Sequence, residues 1–196
     1  MSLLSELKVP AFRAGGLPQL PDDQWTLKIS GLVEEPQEFS LAAVMAWPGV
    51  TIDARLTSVS GWSVRAPWRG APWREVISRL RPQASASHAT FISQGGVYDT
   101  TLGLADLDHP RVLLTWGVGE EPLERLYGGP LRMIVPHFWG YKSAKWLAEI
   151  RFGQGMRGGY WEDRGYTREG KIEPGSTIDY NTGQRRAIAG GEVLDF

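Results

Sequence analysis

The chain has 196 residues, 42% hydrophobic and 22% charged, with 21 Lys or Arg against 22 Asp or Glu and no cysteine. That length suits one domain or one domain with an appendage. The near-neutral balance excludes a nucleic-acid-binding surface spread over the whole domain, and the missing thiols exclude disulfides without indicating a redox compartment. No apolar run approaches the ~20 residues needed to cross a bilayer, and the start, MSLLSELKVPAF, lacks the basic and apolar regions of a signal peptide. As written the chain reads as cytoplasmic, or as periplasmic if the native N-terminus has been trimmed.

Nine Trp, 24 Gly and 13 Pro point to short strands and turns rather than a helical bundle. Residues 1–24 are rich in Pro and Gly and read as an arm lying over the domain. Trp25 to Val33 alternates well enough for a first strand. Ser40 suits the N-cap of a short helix, Leu41 to Trp47, stopped by Pro48-Gly49. A strand over Val50 to Val59 ends in Thr57-Ser58-Val59-Ser60-Gly61-Trp62. Pro67 opens a turn, and Pro72 suits the first position of a helix ending at Leu80. His88 to Gln94 and Val97 to Thr101 form a hairpin around Gly95-Gly96, with His88 an ordinary strand-edge histidine. Leu102 to Leu107 is a helical turn, and Arg111 to Val118 another strand.

The densest segment is Gly128 to Trp146, GGPLRMIVPHFWGYKSAKW. A Gly-Gly-Pro turn leads into the apolar run Leu131 to Val135, which reads as a buried strand ended by Pro136. A donor-rich loop follows, then a strand over Trp146 to Phe152. Between Pro130 and Gly158 stand Arg132, Lys142, Lys145, Arg151 and Arg157 against Glu149 alone. This local excess faces either an anion or plain solvent.

GGPLR, VPH and G-x-KSAKW, with WTLKISGLV, SVSGWSV and GGYWEDRGY around them, resemble the molybdopterin-binding domain of the sulfite oxidase superfamily, especially its small prokaryotic members. The resemblance runs from about Trp25 to about Tyr166. It implies an α+β fold of mixed twisted β-sheets with short peripheral helices, residues 25–166 as the oxidoreductase domain, and a molybdenum-molybdopterin cofactor. Arg132, His137, Lys142, Ser143 and Lys145 fall on the family's positions for holding the pterin and its phosphate. Ser58 stands where the family has the cysteine that ligates molybdenum, Thr57 where close relatives often carry histidine, and Gly95 where they often carry aspartate.

A thiolate is a soft, strongly donating ligand, so the serine leaves three readings open. Ser58 ligates the metal as an alkoxide; it lines a site that binds the cofactor without a protein bond or has lost it; or a cysteine has been replaced by design. The family's chemistry is two-electron oxygen-atom transfer to or from a small-molecule substrate, with a separate electron-transfer partner. The alternative is a non-catalytic relative that has lost the metal and serves as an anion-binding or interaction module. Arg55 and Arg65 are the only cations near Ser58, which disfavours sulfite. A sulfoxide or other uncharged oxide fits better in a pocket lined by Trp62 and Trp139. The aromatic residues of GGYWEDRGY lie under the cofactor loop, with plain core packing the simpler reading. Residues 167–196 form a C-terminal arm that resembles the opening strands of the immunoglobulin-like dimerisation domain of longer relatives. Homodimerisation is a further expectation, with the arm pairing with the core or with a partner chain.

Overall fold

In the computed structural model, which describes residues 2–194, the chain forms two sheets. The first contains β1 (Thr26–Gly31), β2 (Gln37–Ser40), β5 (His88–Ser93), β6 (Asp99–Gly103) and β10 (Leu147–Gly153), in the order β2-β1-β10-β5-β6. Only the β1–β10 pairing is parallel there. The second is built on β4 (Trp62–Pro72), which pairs antiparallel with β3 (Val50–Thr57) along one edge. Its other edge carries β11 (Gly175–Asp179) near its start and β7 (Leu113–Val118) near its end. The short β8 (Glu121–Pro122) and β9 (Arg132–Ile134) pair with β7, and β12 (Arg185–Ile188) closes the far edge on β11. With four short helices, this is the α+β architecture implied by the resemblance.

Local chemistry accounts for most boundaries. Ser40 caps α2 (Leu41–Met45), its hydroxyl accepting the Ala43 amide at 3.2 Å. In α3 (Trp73–Leu80), Trp73, Val76 and Leu80 are buried at helical spacing, and Arg81 ends it in the left-handed region. Pro72 is the residue before α3 rather than its first.

Two expectations change. The strand from Val50 stops at Thr57, because Ser58 to Gly61 form a tight turn: the Ser58 amide donates to Trp62 O at 2.7 Å and the Gly61 amide to Ser58 O at 3.0 Å. Gly61 takes φ +90°, a conformation that favours glycine. Pro67 lies inside the 11-residue β4 and opens no turn. It is tolerated where β4 lacks a ladder partner on one edge, between the Trp62–Ser63 pairing to β11 and the Trp68–Pro72 pairing to β7.

The main apolar core joins the first sheet to α3, β7 and β9 through Trp25, Ile29, Trp73, Phe91, Leu114, Met133 and Ile150. A second cluster, with Leu56, Val64, Trp68 and Leu113, is covered by Leu4 of α1 (Leu3–Glu6) and by Leu123 and Tyr127. The C-terminal strands do not stand apart. Asp179 at the end of β11 makes a buried ion pair with Arg55 of β3 at 2.8 Å.

Candidate functional site

The Gly-Gly-Pro turn sets the start of β9. Gly128 has φ +107°, and a Cβ there would lie 2.8 Å from Lys145 Cγ; at Gly129 it would lie 1.8 Å from Leu123 O. The two glycines therefore let the turn nest against the Leu123 backbone and the Lys145 stem. Gly129→Ala is expected to destabilise the chain by about 2–4 kcal/mol, since backbone rather than a flexible side chain would have to move. The urea midpoint reads this, and an unchanged midpoint would mean the turn opens freely.

Beyond the turn, Arg132 is 1% exposed. Its guanidinium donates to Tyr127 O at 2.6 Å and to Met133 O and Ser143 O at 3.3 Å, and lies 5.3 Å from the Trp68 ring. Burial lowers its pKa to about 10. Ser143 Oγ accepts the Val135 amide at 3.0 Å, locking the loop onto β9. Lys145 Nζ donates to Phe12 O at 3.0 Å, and its pKa falls to about 7 through burial and the neighbouring Arg132 charge.

These residues meet at one cavity of about 360 Å³, within the ordinary size range of ligand pockets. Ser58, Trp62, Arg132, Ser143 and Lys145 line it, with Trp161 and Tyr166 from the segment after β10 and Val9, Pro10, Phe12 and Ala14 from the N-terminal arm. Among the described residues two cations and no carboxylate line it. Ser58 Oγ shares a 2.8 Å hydrogen bond with Ser60 Oγ and accepts the Ser60 amide at 3.2 Å.

His137 and Lys142 lie elsewhere. Lys142 is fully buried: Nζ donates to Glu162 Oε1 at 2.6 Å, Arg168 O at 2.7 Å and Thr101 O at 3.0 Å. Its three protons are committed inside the protein, which leaves none for a phosphate. His137 stacks on His109 with ring centroids 4.3 Å apart and donates from Nε2 to Asp106 O at 3.0 Å. Its pKa is lowered by burial and then by His109, and Nδ1 is buried without a partner. Trp139 packs against the Ile172, Ile188 and Val193 cluster, away from the cavity that Trp62 lines. Arg55 is buried against Asp179, while the exposed Arg65 pairs with Asp53 at 2.8 Å. Neither lines the cavity.

The basic run thus resolves into separate fates. Lys142 is neutralised by Glu162 and Arg151 pairs with Glu149 at 3.0 Å. Arg157 lines a different cavity with Asp99 and Asp163, which leaves Arg132 and Lys145 facing the central one. Sequence reasoning missed Glu162 and the contribution of the arm to the cavity wall, although it expected an arm lying over the domain. The two acids of GGYWEDRGY, Glu162 and Asp163, were the available signal for a lysine partner. The arm meets Lys145 through a backbone carbonyl, which no side-chain pattern marks.

An anion-accepting, aromatic-walled cavity on this fold agrees with the comparison to known proteins. Residues 14–161 match the family model described as "Oxidoreductase molybdopterin binding domain". The chain belongs to this family. "Protein-methionine-sulfoxide reductase catalytic subunit MsrP" of Ralstonia nicotianae is 38% identical over 158 residues, 73% of this chain and 47% of that protein. "Uncharacterized oxidoreductase YuiH" of Bacillus subtilis is 31% identical over 163 residues, covering 82% of each. The chain spans about half the length of the MsrP relatives it matches. In fold it resembles the sulfane dehydrogenase SoxCD of Paracoccus pantotrophus, with a TM-score of 0.68 at 17% identity over 90% of this chain and 47% of that one. The cofactor of the family is molybdenum-molybdopterin, and the cavity's size and its surplus of positive charge fit a pterin with a phosphate.

Proposed function

We propose that this chain is a molybdopterin-dependent reductase that takes an oxygen atom from a sulfoxide, with the cofactor seated in the Ser58–Lys145 cavity. The observation that carries the reading is a cavity holding Arg132 and Lys145, with no carboxylate among the described residues that line it and with Ser58 on its wall. When bound, the cofactor supplies a metal centre able to exchange two electrons and an oxygen atom.

The residues do the rest. Arg132 and Lys145 neutralise the cofactor phosphate, and the loss of their hydration in an apolar enclosure makes the attraction stronger than it would be in water. Ser143 holds the loop in register on β9, so it supports the site through the backbone. Lys142 fixes the loop to Glu162, and His137 fixes the opposite end to Asp106. Trp62, Trp161 and Tyr166 keep water out and give an apolar face to a substrate whose only strong polar group is its S=O. Two cations already matched to an anionic cofactor leave, among the described residues, no further cationic group on this cavity for a dianion such as sulfite. Methionine sulfoxide is the substrate we favour, in keeping with the names of the MsrP relatives. Electrons come from a separate partner. Among the described residues no helix is long and apolar enough to cross a membrane.

Ser58 stands at the metal-facing position, where its hydroxyl is already engaged with Ser60. A hydroxyl is a harder and weaker donor than a thiolate. Ser58→Cys is therefore expected to raise molybdenum per chain at least about threefold, measured by elemental mass spectrometry beside pterin fluorescence after acid oxidation. No gain in molybdenum would place the metal away from residue 58. Reduction of methionine sulfoxide by dye-reduced, cofactor-loaded protein, without sulfite oxidation, is the expected activity. The opposite preference would overturn the substrate assignment.

A further inference from the structure

Five lysines occur in the chain, and Lys145 is unlike the others. Lys8, Lys28 and Lys171 are exposed, with Lys171 paired to Asp106 at 2.9 Å, while Lys142 is saturated by three acceptors. Lys145 enters an aromatic-walled cavity that no carboxylate among the described residues lines. Its stem is pinned by Gly128 and lies beside the Trp146 ring, with Nζ 5.7 Å from the ring centre. The amine meets the Phe12 carbonyl, the Trp146 ring and the charge of Arg132, and Tyr98, Tyr141, Trp161 and Tyr166 line the same cavity. Burial holds the Tyr98 and Tyr141 hydroxyls well above the usual tyrosine range, so they stay neutral. Among the described residues no carboxylate lines the cavity to hold a proton on Nζ, and a second cation opposes it.

We infer that Lys145 is a nucleophilic amine which condenses with aldehydes bearing an anionic group, so that the cavity is also a covalent-modification site for phosphorylated or carboxylated carbonyl compounds. A lysine desolvated in an apolar pocket beside another cation is activated as a nucleophile. The lone pair of Nζ attacks the aldehyde carbon and the carbonyl π pair moves to oxygen. Transfer of the two amine protons to that oxygen then releases water as the C=N bond forms. No electrons are gained or lost. The anionic group lies in the field of Arg132 and provides the preference over neutral aldehydes. The lowered ammonium pKa, about 7, supplies free amine at neutral pH. This site does not depend on the redox reading, since it concerns the chain before the cofactor is seated. A bound cofactor phosphate would re-protonate the amine and silence it.

The test treats cofactor-free protein with pyridoxal 5′-phosphate near neutral pH, traps the imine with borohydride, and maps the peptides. Lys145 is expected to label about tenfold or more faster than Lys8, Lys28 or Lys171 in the same digest, because far more of its amine is unprotonated. Its labelling rate is expected to rise with pH through a midpoint near 7. Below that value the amine is protonated and inert, and above it the rate levels off. Inorganic phosphate is expected to slow labelling at Lys145 alone, and pyridoxal lacking the phosphate to react more slowly there. Lys145→Arg is expected to remove the fast site and leave the slow ones. Equal labelling of Lys145 and the exposed lysines, or a midpoint in the ordinary lysine range, would overturn the proposal. Because the comparison is made within one digest of the unmodified sequence, it holds even if the variant fails to fold.

Discussion

Replacing Glu162 by glutamine is expected to destabilise the chain by about 3–5 kcal/mol, the usual effect of stranding a buried charge. Lys142 and Glu162 are both fully enclosed, and Glu162 Oε1 takes the Lys142 ammonium at 2.6 Å together with the Thr100 hydroxyl at 2.7 Å. Oε2 is buried with no hydrogen-bond partner, so an amide nitrogen placed there would find no acceptor, which adds to the loss. Burial lowers the Lys142 pKa and Glu162 opposes that shift. Without the carboxylate the folded-state pKa falls further below the unfolded value of about 10.4. A base depressed in this way is charged in both states at low pH, so the whole burial cost is felt there. It is relieved as pH rises between the folded and unfolded values. The deficit of Glu162→Gln is therefore expected to shrink as urea titrations move from neutral toward alkaline pH. Lys142→Met combined with Glu162→Leu should lose less than the two single changes summed. Strict additivity would mean that the pair does not act as one unit.

Arg132→Met is expected to produce the second large effect, a loss of about 2–3 kcal/mol with at least a tenfold fall in pterin per chain. Removing the guanidinium strips Tyr127 O and Ser143 O of a donor in the interior and takes a cation from the cavity wall. The stability loss stays moderate because holding that charge away from water is itself unfavourable, as its pKa of about 10 shows. Arg132→Lys is not expected to rescue pterin content, since a single ammonium cannot reproduce a planar fork directed at three carbonyls. Urea midpoints and pterin fluorescence separate the two effects. Stable protein with undiminished pterin would remove Arg132 from the cofactor wall.

The parts of the molecule legible in the sequence are those with a local cause. Ser40 names its own helix start, Gly128 and Gly129 mark a turn with close backbone contacts, and the GGPLR and KSAKW blocks carry the family. β4 was misread because Pro67 and Gly70 sit inside it, and a strand that switches partners along one edge does not alternate cleanly. The roles of Lys142 and Lys145 were not legible, although the two stand only three positions apart. One meets a carboxylate 20 residues further on, whereas the other meets a backbone carbonyl 133 residues earlier. A charge count over the segment cannot distinguish these fates, because the partners come from the tertiary fold.

The arm's place over the cavity also constrains the order of events during assembly. Val9, Pro10, Phe12 and Ala14 are part of the wall, and the Phe12 carbonyl occupies the ammonium that a phosphate would use. A phosphate that takes up the Lys145 ammonium must displace that carbonyl. On the proposed seating, the cofactor would release the arm's hold on Lys145, and residues 9–14 would settle last, against the ligand. The arm, which precedes the rest of the domain along the chain, would then be among the last segments to reach its final position.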